Sequence, residues 1–224
     1  SGTGFYKSTN GGVSFIEVSN VGTGIKLIGV SDDSPSRVYI LEASGGKFGG
    51  FYKSTNSGGS FSTINHGTKN YFGYSGEADD ASGQAPRDMA IAVNPSDADE
   101  VHIAGILTWR SKDAGTSFDL TSHWTHNNAN RYNVGYCHAD IDIMQYHGNT
   151  LYVGSDGGIF ISENADKAIN TNYFTDLSTG LGIRQFYKIG VSQSDPVVIS
   201  GGSQDNGTSV WKGETDSWTD WLGA

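Results

Sequence analysis

The sequence predicts an all-β fold, a β-propeller built of four-stranded antiparallel sheets, or blades. A short motif recurs at intervals of roughly fifty residues, which is typical of blade repeats. Short runs of β-branched and aromatic residues fill each interval, and clusters of Gly, Asn, Asp and Ser separate these runs. No segment sustains the apolar period of a helix. Glycine accounts for 32 of the 224 residues, as expected of a chain rich in turns.

The repeated motif is a box of the form Ser-x-Asn/Asp-x-Gly-x-Ser-Phe, found at residues 8–15, 54–61 and 111–118. We expect the Asn or Asp to cap backbone N–H groups of its own turn, the Gly to supply a positive φ, and the aromatic ring to enter the core between sheets. A fourth copy that begins at Ser162 is broken, because Asn164 is followed by Ala-Asp. The residues given this structural role are Ser8, Asn10, Gly12, Phe15, Ser54, Asn56, Gly58, Phe61, Ser111, Asp113, Gly115 and Phe118.

The strand-like runs between the boxes divide the chain into blades. Four strands are expected in each of residues 21–65, 66–122, 123–178 and 179–224, whereas residues 1–20 supply only the third and fourth strands of a first blade. About four and a half blades would leave sheet edges unpaired. We therefore expect residues 1–224 to be one propeller domain or a fragment of a ring of about seven to ten blades, completed by a longer chain or a partner. A five-bladed ring with a thin first blade is the alternative.

The boxes resemble the Asp-box (BNR) repeat of sialidases, sortilin-type receptors and tandem-propeller xyloglucanases, and the resemblance covers nearly the whole chain. The second half is also similar to a bacterial branch of these repeat proteins, found among secreted proteins of gliding Gram-negative bacteria. The stretches that carry this similarity are residues 138–142, 151–162, 177–192 and 201–208. The resemblance implies a propeller in a secreted or surface protein, and it leaves the activity open because this fold hosts both hydrolases and binding proteins.

Ligand-binding residues are expected on the two long loops between blades, residues 66–87 and 123–138. In an up-and-down blade these loops leave from the face that carries the turns between second and third strands, and the boxes lie on the opposite face. Aromatic rings with amide and guanidinium donors suit the stacking and hydrogen bonding of pyranose rings. Packing of the loops themselves is the alternative role of these aromatics. The expected ligand-binding residues are Tyr71, Tyr74, Trp124, His126, Asn128, Arg131 and Tyr132, with Phe72, Tyr136, Asn127 and Asn130 beside them.

Hydrolysis of a glycosidic bond needs two carboxyl groups about 5–10 Å apart. Asp140, Asp156 and Asp205 are the candidate catalytic residues on the expected functional face, where Glu77, Asp79 and Asp80 also lie. Asp156 and Asp205 precede glycine-rich turns, so a structural role in Asx-turns is the alternative for both. No motif marks the arginine triad and tyrosine nucleophile that a sialidase would need.

A divalent cation is a further hypothesis for the segment that contains His138, Asp140 and Asp142. Alternation along a strand would place these side chains on one face, where an imidazole and two carboxylates could hold an ion. The alternative is that they bond backbone groups of an innermost strand, and we expect no cofactor. The adjacent Cys137 is expected to be a small core residue.

Composition narrows the classes of partner. The chain contains 14 Lys and Arg against 24 Asp and Glu, a formal charge of −10 that disfavours nucleic acid. Its single cysteine excludes an internal disulfide, and no apolar run is long enough for a transmembrane helix. We expect a secreted or cell-surface module that binds a polysaccharide or a surface protein, rather than an enzyme. A glycoside hydrolase and a structural subunit of a larger surface assembly are the alternatives.

Overall fold

The computed structural model describes residues 4–182, 184–204, 206–213 and 217–221. These residues form short antiparallel strands and, among them, a single helix of seven residues, so the prediction of an all-β chain of four-stranded sheets is confirmed. The chain divides into two compact units, Ser1–Leu177 and Ser178–Ala224. None of the helical structure in the described part of the chain could cross a membrane.

The first unit begins with a two-stranded sheet and continues with three sheets of four strands, in each of which consecutive strands pair antiparallel. The two-stranded sheet contains β1 (Phe5–Lys7) and β2 (Ile16–Val18). The next sheet contains β3 (Ile25–Val30), β4 (Val38–Ser44), β5 (Lys47–Ser54) and β6 (Ser62–Ile64). The third sheet contains β7 (Ala90–Asn94), β8 (Asp97–Ala104), β9 (Thr108–Ser111) and β10 (Asp119–Leu120).

A short parallel ribbon and a helix separate this sheet from the next one. They are β11 (Ser122–His123), α1 (His126–Tyr132) and β12 (Gly135–Tyr136). The fourth sheet contains β13 (Ile141–His147), β14 (Thr150–Ser155), β15 (Gly158–Ser162) and β16 (Thr175–Asp176). The second unit is one sheet of β17 (Lys188–Val191), β18 (Val198–Gly202), β19 (Thr208–Lys212) and β20 (Trp218–Trp221).

The helix α1 corrects the expectation that residues 123–138 form an irregular loop. Thr125 caps its N-terminus, since its hydroxyl accepts a hydrogen bond from the N–H of Asn128. Asn133 ends it in the left-handed conformation and returns its N–H to carbonyls of the last turn. Both caps are polar residues, so a search for apolar residues at helical spacing does not detect them.

The core of the first unit lies between neighbouring sheets. Tyr39 and Phe51 of the second sheet pack with Ile103 and Leu107 of the third in one buried cluster. A second cluster joins the third sheet to the fourth and includes Ile141, Leu151 and Phe160. The first strands β3, β7 and β13 lie side by side, so the sheets succeed one another in chain order, as blades do.

The three boxes fold into the same turn. In each, the first Ser accepts a hydrogen bond from the N–H of the Gly four residues later, and the Asn or Asp accepts one from the N–H of the second Ser. All six distances from backbone N to side-chain O lie between 2.8 and 3.0 Å. The donor and acceptor pairs are Gly12 and Ser8, Ser14 and Asn10, Gly58 and Ser54, Ser60 and Asn56, Gly115 and Ser111, and Ser117 and Asp113. Each box glycine has a positive φ, which explains the residue type.

The aromatic residues of the boxes do not share one environment. Phe61 packs edge-on against Phe5, with ring centroids 4.9 Å apart, and Phe118 packs against Phe51 at 5.3 Å. Each ring therefore contacts a strand of the preceding sheet, β1 for Phe61 and β5 for Phe118. Phe15 is 60% exposed, which corrects the expectation that it enters a core between sheets, because no described residue stands where Phe5 and Phe51 stand for the other two.

The broken fourth box is held by a different group. The guanidinium of Arg110, on the third sheet, donates from Nη1 to the carbonyls of Ala165 and Lys167 at 2.6 and 2.7 Å. The hydroxyl of Tyr173 also donates to Ala165 O. A buried arginine from the neighbouring sheet thus holds this turn by its carbonyls, whereas the Asn or Asp of an intact box accepts from a backbone N–H.

Candidate functional site

The long loops of the first unit lie at the end of the sheets opposite the boxes. Gly83 in the first loop packs against the carbonyl of Gly46, which lies in the β4–β5 turn. The N–H of Ile141, where β13 begins after the second loop, donates to Gly105 O in the β8–β9 turn. We call this end the loop face; it comprises residues 66–87, 105–107, 123–140, 156–157 and the turn at residues 45–46.

Four carboxylates and two basic side chains gather where the two loops end. Nη1 of Arg87 lies 2.7 Å from Asp142 Oδ1 and 3.2 Å from Asp88 Oδ1, so these two oxygens are within about 6 Å of each other. Nδ1 of His138 lies 3.0 Å from Asp156 Oδ1. The fourth carboxylate, Asp140, accepts a hydrogen bond from the side chain of Gln84 at 3.3 Å. We call Asp88, Asp140, Asp142 and Asp156 the carboxylate cluster.

Asp88 is the buried member of the carboxylate cluster. It is 1% exposed, and its Oδ2 has no hydrogen-bond partner among the described residues. Burial, together with the charges of Asp140, Asp142 and Asp156, raises the pKa of Asp88 to about 6, although Arg87 opposes the shift. Sequence reasoning missed Asp88. The signal that could have found it is its place just before the first strand of a blade, which Asp140 also occupies.

The hypothesis of a cation held by His138, Asp140 and Asp142 is not supported by their arrangement. Asp140 has a φ of 63°, so the backbone is not extended there and alternation does not carry the three side chains to one face. His138 contacts Asp156, whereas Asp142 contacts Arg87. Within the described ranges, no set of His, Cys, Asp and Glu side chains is grouped to hold a metal ion.

The remaining acidic candidates fall in different places. Asp205 lies outside the described residues. Asp80 Oδ2 accepts a hydrogen bond from the N–H of Ser75 and so shapes the first loop. Glu77 and Asp79 are exposed. Cys137 is buried, and burial raises the pKa of its thiol well above the ordinary value, which fits a core residue.

Tyr71 and Phe72 are buried, which corrects their assignment to a ligand surface. Tyr71 is 5% exposed; its carbonyl accepts a hydrogen bond from Trp109 Nε1, and its ring packs on Phe118. Phe72 is 0% exposed. Their large apolar rings anchor the first loop in the core, as the alternative of loop packing predicted. Burial raises the pKa of Tyr71 to about 12.

Trp124, His123 and Tyr132 form a stacked row on the loop face. The His123 ring lies 6.0 Å from that of Trp124 at 23° and 5.9 Å from that of Tyr132 at 7°. Burial lowers the pKa of His123, so its ring is neutral at pH 7. Trp124 is 42% exposed, and the Arg131 guanidinium lies over Tyr132 at 5.5 Å. We call these three rings the aromatic row.

The two long loops meet at this row. A Cβ on Gly76 would lie 3.0 Å from the Tyr132 ring, so the first loop packs directly on the second. Tyr74, nearby in the first loop, is 45% exposed. The rings of His126 and Tyr136 are stacked, with centroids 3.9 Å apart. Asn127 and Asn130 are exposed residues of α1. Asn128 contributes its N–H to the helix cap.

Comparison with known proteins finds similarity to solved structures but not to any protein-family model or curated sequence. An ancestral GH74 enzyme has a TM-score of 0.52 at 15% identity, over 98% of this chain and 28% of that one. The GH74 enzyme of Niastella koreensis has a TM-score of 0.46 at 14% identity, over 97% of this chain and 28% of that one. The GH74 xyloglucanase from Xanthomonas campestris has a TM-score of 0.44 at 16% identity, over 88% of this chain and 30% of that one.

The chain thus spans less than a third of the length of these three structures. The likeness to the ancestral enzyme shows the fold, a set of β-propeller blades, in agreement with the sheet order. At such identity it carries no information about substrate or reaction.

Proposed function

We propose that this chain binds carbohydrate on its loop face, as a recognition module of a secreted or cell-surface protein. The observation that carries the proposal is the aromatic row with its exposed end at Trp124. The indole lies beside the His123 ring and is 42% exposed, so part of its surface is available to a pyranose ring. Apolar sugar faces stack on such rings, and polar edges such as Arg131 and Asn127 can bond the hydroxyls around them.

The row is preorganised, which favours binding. The helix α1 is capped at both ends, and β11 pairs with β12 on either side of it. Tyr132 is fixed between His123 and the backbone of Gly76. Since little side-chain freedom remains to be lost when a ligand arrives, more of the contact energy contributes to affinity.

Affinity measurements on a panel of soluble oligosaccharides and polysaccharides test the proposal. Trp124→Ala is expected to weaken binding by about 1–3 kcal/mol, the range of a stacked aromatic anchor. Asn56→Ala is the control, because Asn56 lies in a box at the opposite end of the sheet and should change stability by about 1 kcal/mol without changing affinity. Unchanged affinity in Trp124→Ala, or no affinity for any glycan, would refute the assignment.

Hydrolysis of a glycan is the second candidate, and the carboxylate cluster is the observation that favours it. Asp88, with its raised pKa, is suited to act as a general acid, and the carboxyl group of Asp142 lies within about 6 Å of it. Arg87 contacts both carboxylates, however, and occupies space that a sugar bond would need. Release of reducing ends by the intact chain, abolished in Asp142→Asn, would establish this activity in place of simple binding.

We also propose that the exposed side of the first sheet packs against a further blade. Phe61 and Phe118 each pack against an aromatic ring from a strand of the preceding sheet, and Phe15 is exposed at the matching position. The occupant expected there is a strand with an aromatic residue in the place of Phe51. The mass of the native protein and of its complexes tests this, since a monomer of this chain alone would contradict it.

A further inference from the structure

The carboxylate cluster brings four acidic side chains together with one guanidinium and one imidazole. Arg87 contacts Asp88 and Asp142, and His138 contacts Asp156. Burial and the charges of Asp140, Asp142 and Asp156 together raise the pKa of Asp88 despite the opposing charge of Arg87. The whole chain carries a formal charge of −10, so its long-range field also attracts cations.

A second and independent feature of the cluster indicates a missing hydrogen-bond donor. Asp88 is 1% exposed and is directed into the cluster, because its Oδ1 shares one nitrogen of Arg87 with Asp142. Its other oxygen, Oδ2, is buried without a partner in the part of the chain that the structure describes. A buried acceptor without a donor is costly, so a ligand that supplies one gains the corresponding free energy.

Arg87 is a side chain that a cationic ligand could displace from the cluster. Its side chain is 64% exposed, although it touches the almost fully buried Asp88. An exposed, flexible side chain can turn towards solvent, and a bound ammonium would replace the donor that Asp88 loses when Arg87 leaves. Its departure would free oxygens of Asp88 and Asp142 for another cation.

The chemistry of the cluster selects the kind of cation. No described group of side chains here is arranged to hold a metal ion. A primary ammonium is a compact charge with three donors, and it can bond several carboxylate oxygens that do not converge as metal ligands must. We propose that the carboxylate cluster binds the ammonium group of a ligand, and that the glycan of the loop face is therefore an amino-sugar polymer with free amines.

This inference rests on the proposed function in one respect, that the ligand is a carbohydrate. Arg87, at the end of the first loop, and His138, at the end of the second, contact the cluster, and the first loop packs on the second at the Tyr132 ring of the row. A polymer whose rings stack on Trp124 can thus present its amines to Asp142. A basic peptide would satisfy the carboxylates but would not use the row in the same way.

Calorimetric titration with three matched oligomers tests the inference. The probes are oligomers of glucosamine, of N-acetylglucosamine and of glucose, with equal length and linkage. The glucosamine oligomer is expected to bind about tenfold more tightly than the other two, since a charge-assisted hydrogen bond contributes that much. Asp142→Asn should remove the difference, whereas Asp119→Asn, an exposed aspartate on the outermost strand β10, should keep it. Arg87→Gln should strengthen binding of the glucosamine oligomer.

Each outcome separates the two proposals. Equal affinity for the three oligomers overturns the ammonium site and leaves carbohydrate binding intact. Binding of none of them overturns both. Binding of an oligolysine peptide that Asp142→Asn abolishes, with no preference among sugars, overturns the assignment to a glycan. Melting curves of the three variants verify that they fold. If Asp142→Asn does not fold, the effect of Arg87→Gln on binding of the glucosamine oligomer tests the ammonium site.

Discussion

Gly115 of the third box lies directly against the ring of Phe51 in the preceding sheet. Its φ is 82°, and a Cβ at this position would overlap that ring. Gly12 of the first box has a nearly equal φ of 88° but no atom within 4 Å of the same position. The two glycines share a backbone conformation and differ in whether a neighbouring sheet covers them.

This difference predicts unequal effects of one substitution. Gly12→Ala should cost about 1 kcal/mol of unfolding free energy, from the strain of a positive φ alone. Gly115→Ala should cost about 3 kcal/mol, because the methyl group must also displace Phe51. Urea unfolding of both variants measures the difference. Equal losses would contradict the close packing of box and sheet.

The box aromatics predict a similar contrast. Phe118→Ala should lower the unfolding free energy by about 3–5 kcal/mol, since Phe118 is buried against Phe51 and Tyr71. Phe15→Ala should change it by less than about 1 kcal/mol in the isolated chain, because Phe15 is 60% exposed. A large loss in Phe15→Ala would show that a further sheet, or a second molecule, covers this residue in solution.

Much of the fold could be predicted from local sequence, because the boxes and strands are local structures. Ser54 and Asn56 make their hydrogen bonds within four residues, so the motif already contains the partners. The helix α1 was missed because its stability depends on caps at Thr125 and Asn133 rather than on an apolar period. Burial of Tyr71 could not be predicted, because the ring could equally have faced solvent in a loop of that length.

The candidate site was predictable only in part for the same physical reason. The sequence indicated the loop face, and Trp124 is exposed on it as expected. The raised pKa of Asp88 comes first from burial and then from Asp140, Asp142 and Asp156, which are all more than fifty residues away along the chain. Such contacts depend on how sheets pack side by side, which no local pattern encodes.

Arg110 predicts a large loss of stability from one buried side chain. Its Nη1 donates to two carbonyls of the fourth turn, so Arg110→Ala should remove both hydrogen bonds, leave Ala165 O with only the Tyr173 hydroxyl, and cost about 3 kcal/mol. Arg37→Ala is the matched control: Arg37 pairs with Asp99 near the surface, and its removal should cost less than about 1 kcal/mol. Thermal unfolding of the two variants should therefore differ by several degrees. Similar midpoints would mean that the fourth turn is held by other groups.

Asp88 predicts a stability that falls as pH rises. Its pKa is about 6 in the folded chain against 3.8 for an ordinary carboxyl, so the folded state holds the proton more tightly. The stabilisation is fully present below about pH 4 and is lost as pH rises through about 6, by roughly 2–3 kcal/mol. Asp88→Asn has no such proton to lose, and it should gain stability relative to the natural chain between pH 4 and pH 7. Denaturant unfolding at both pH values measures the gain, with Asp119→Asn as the exposed control. A difference between Asp88→Asn and the natural chain that does not vary with pH would show that Asp88 ionises in the folded protein as it does in the unfolded one.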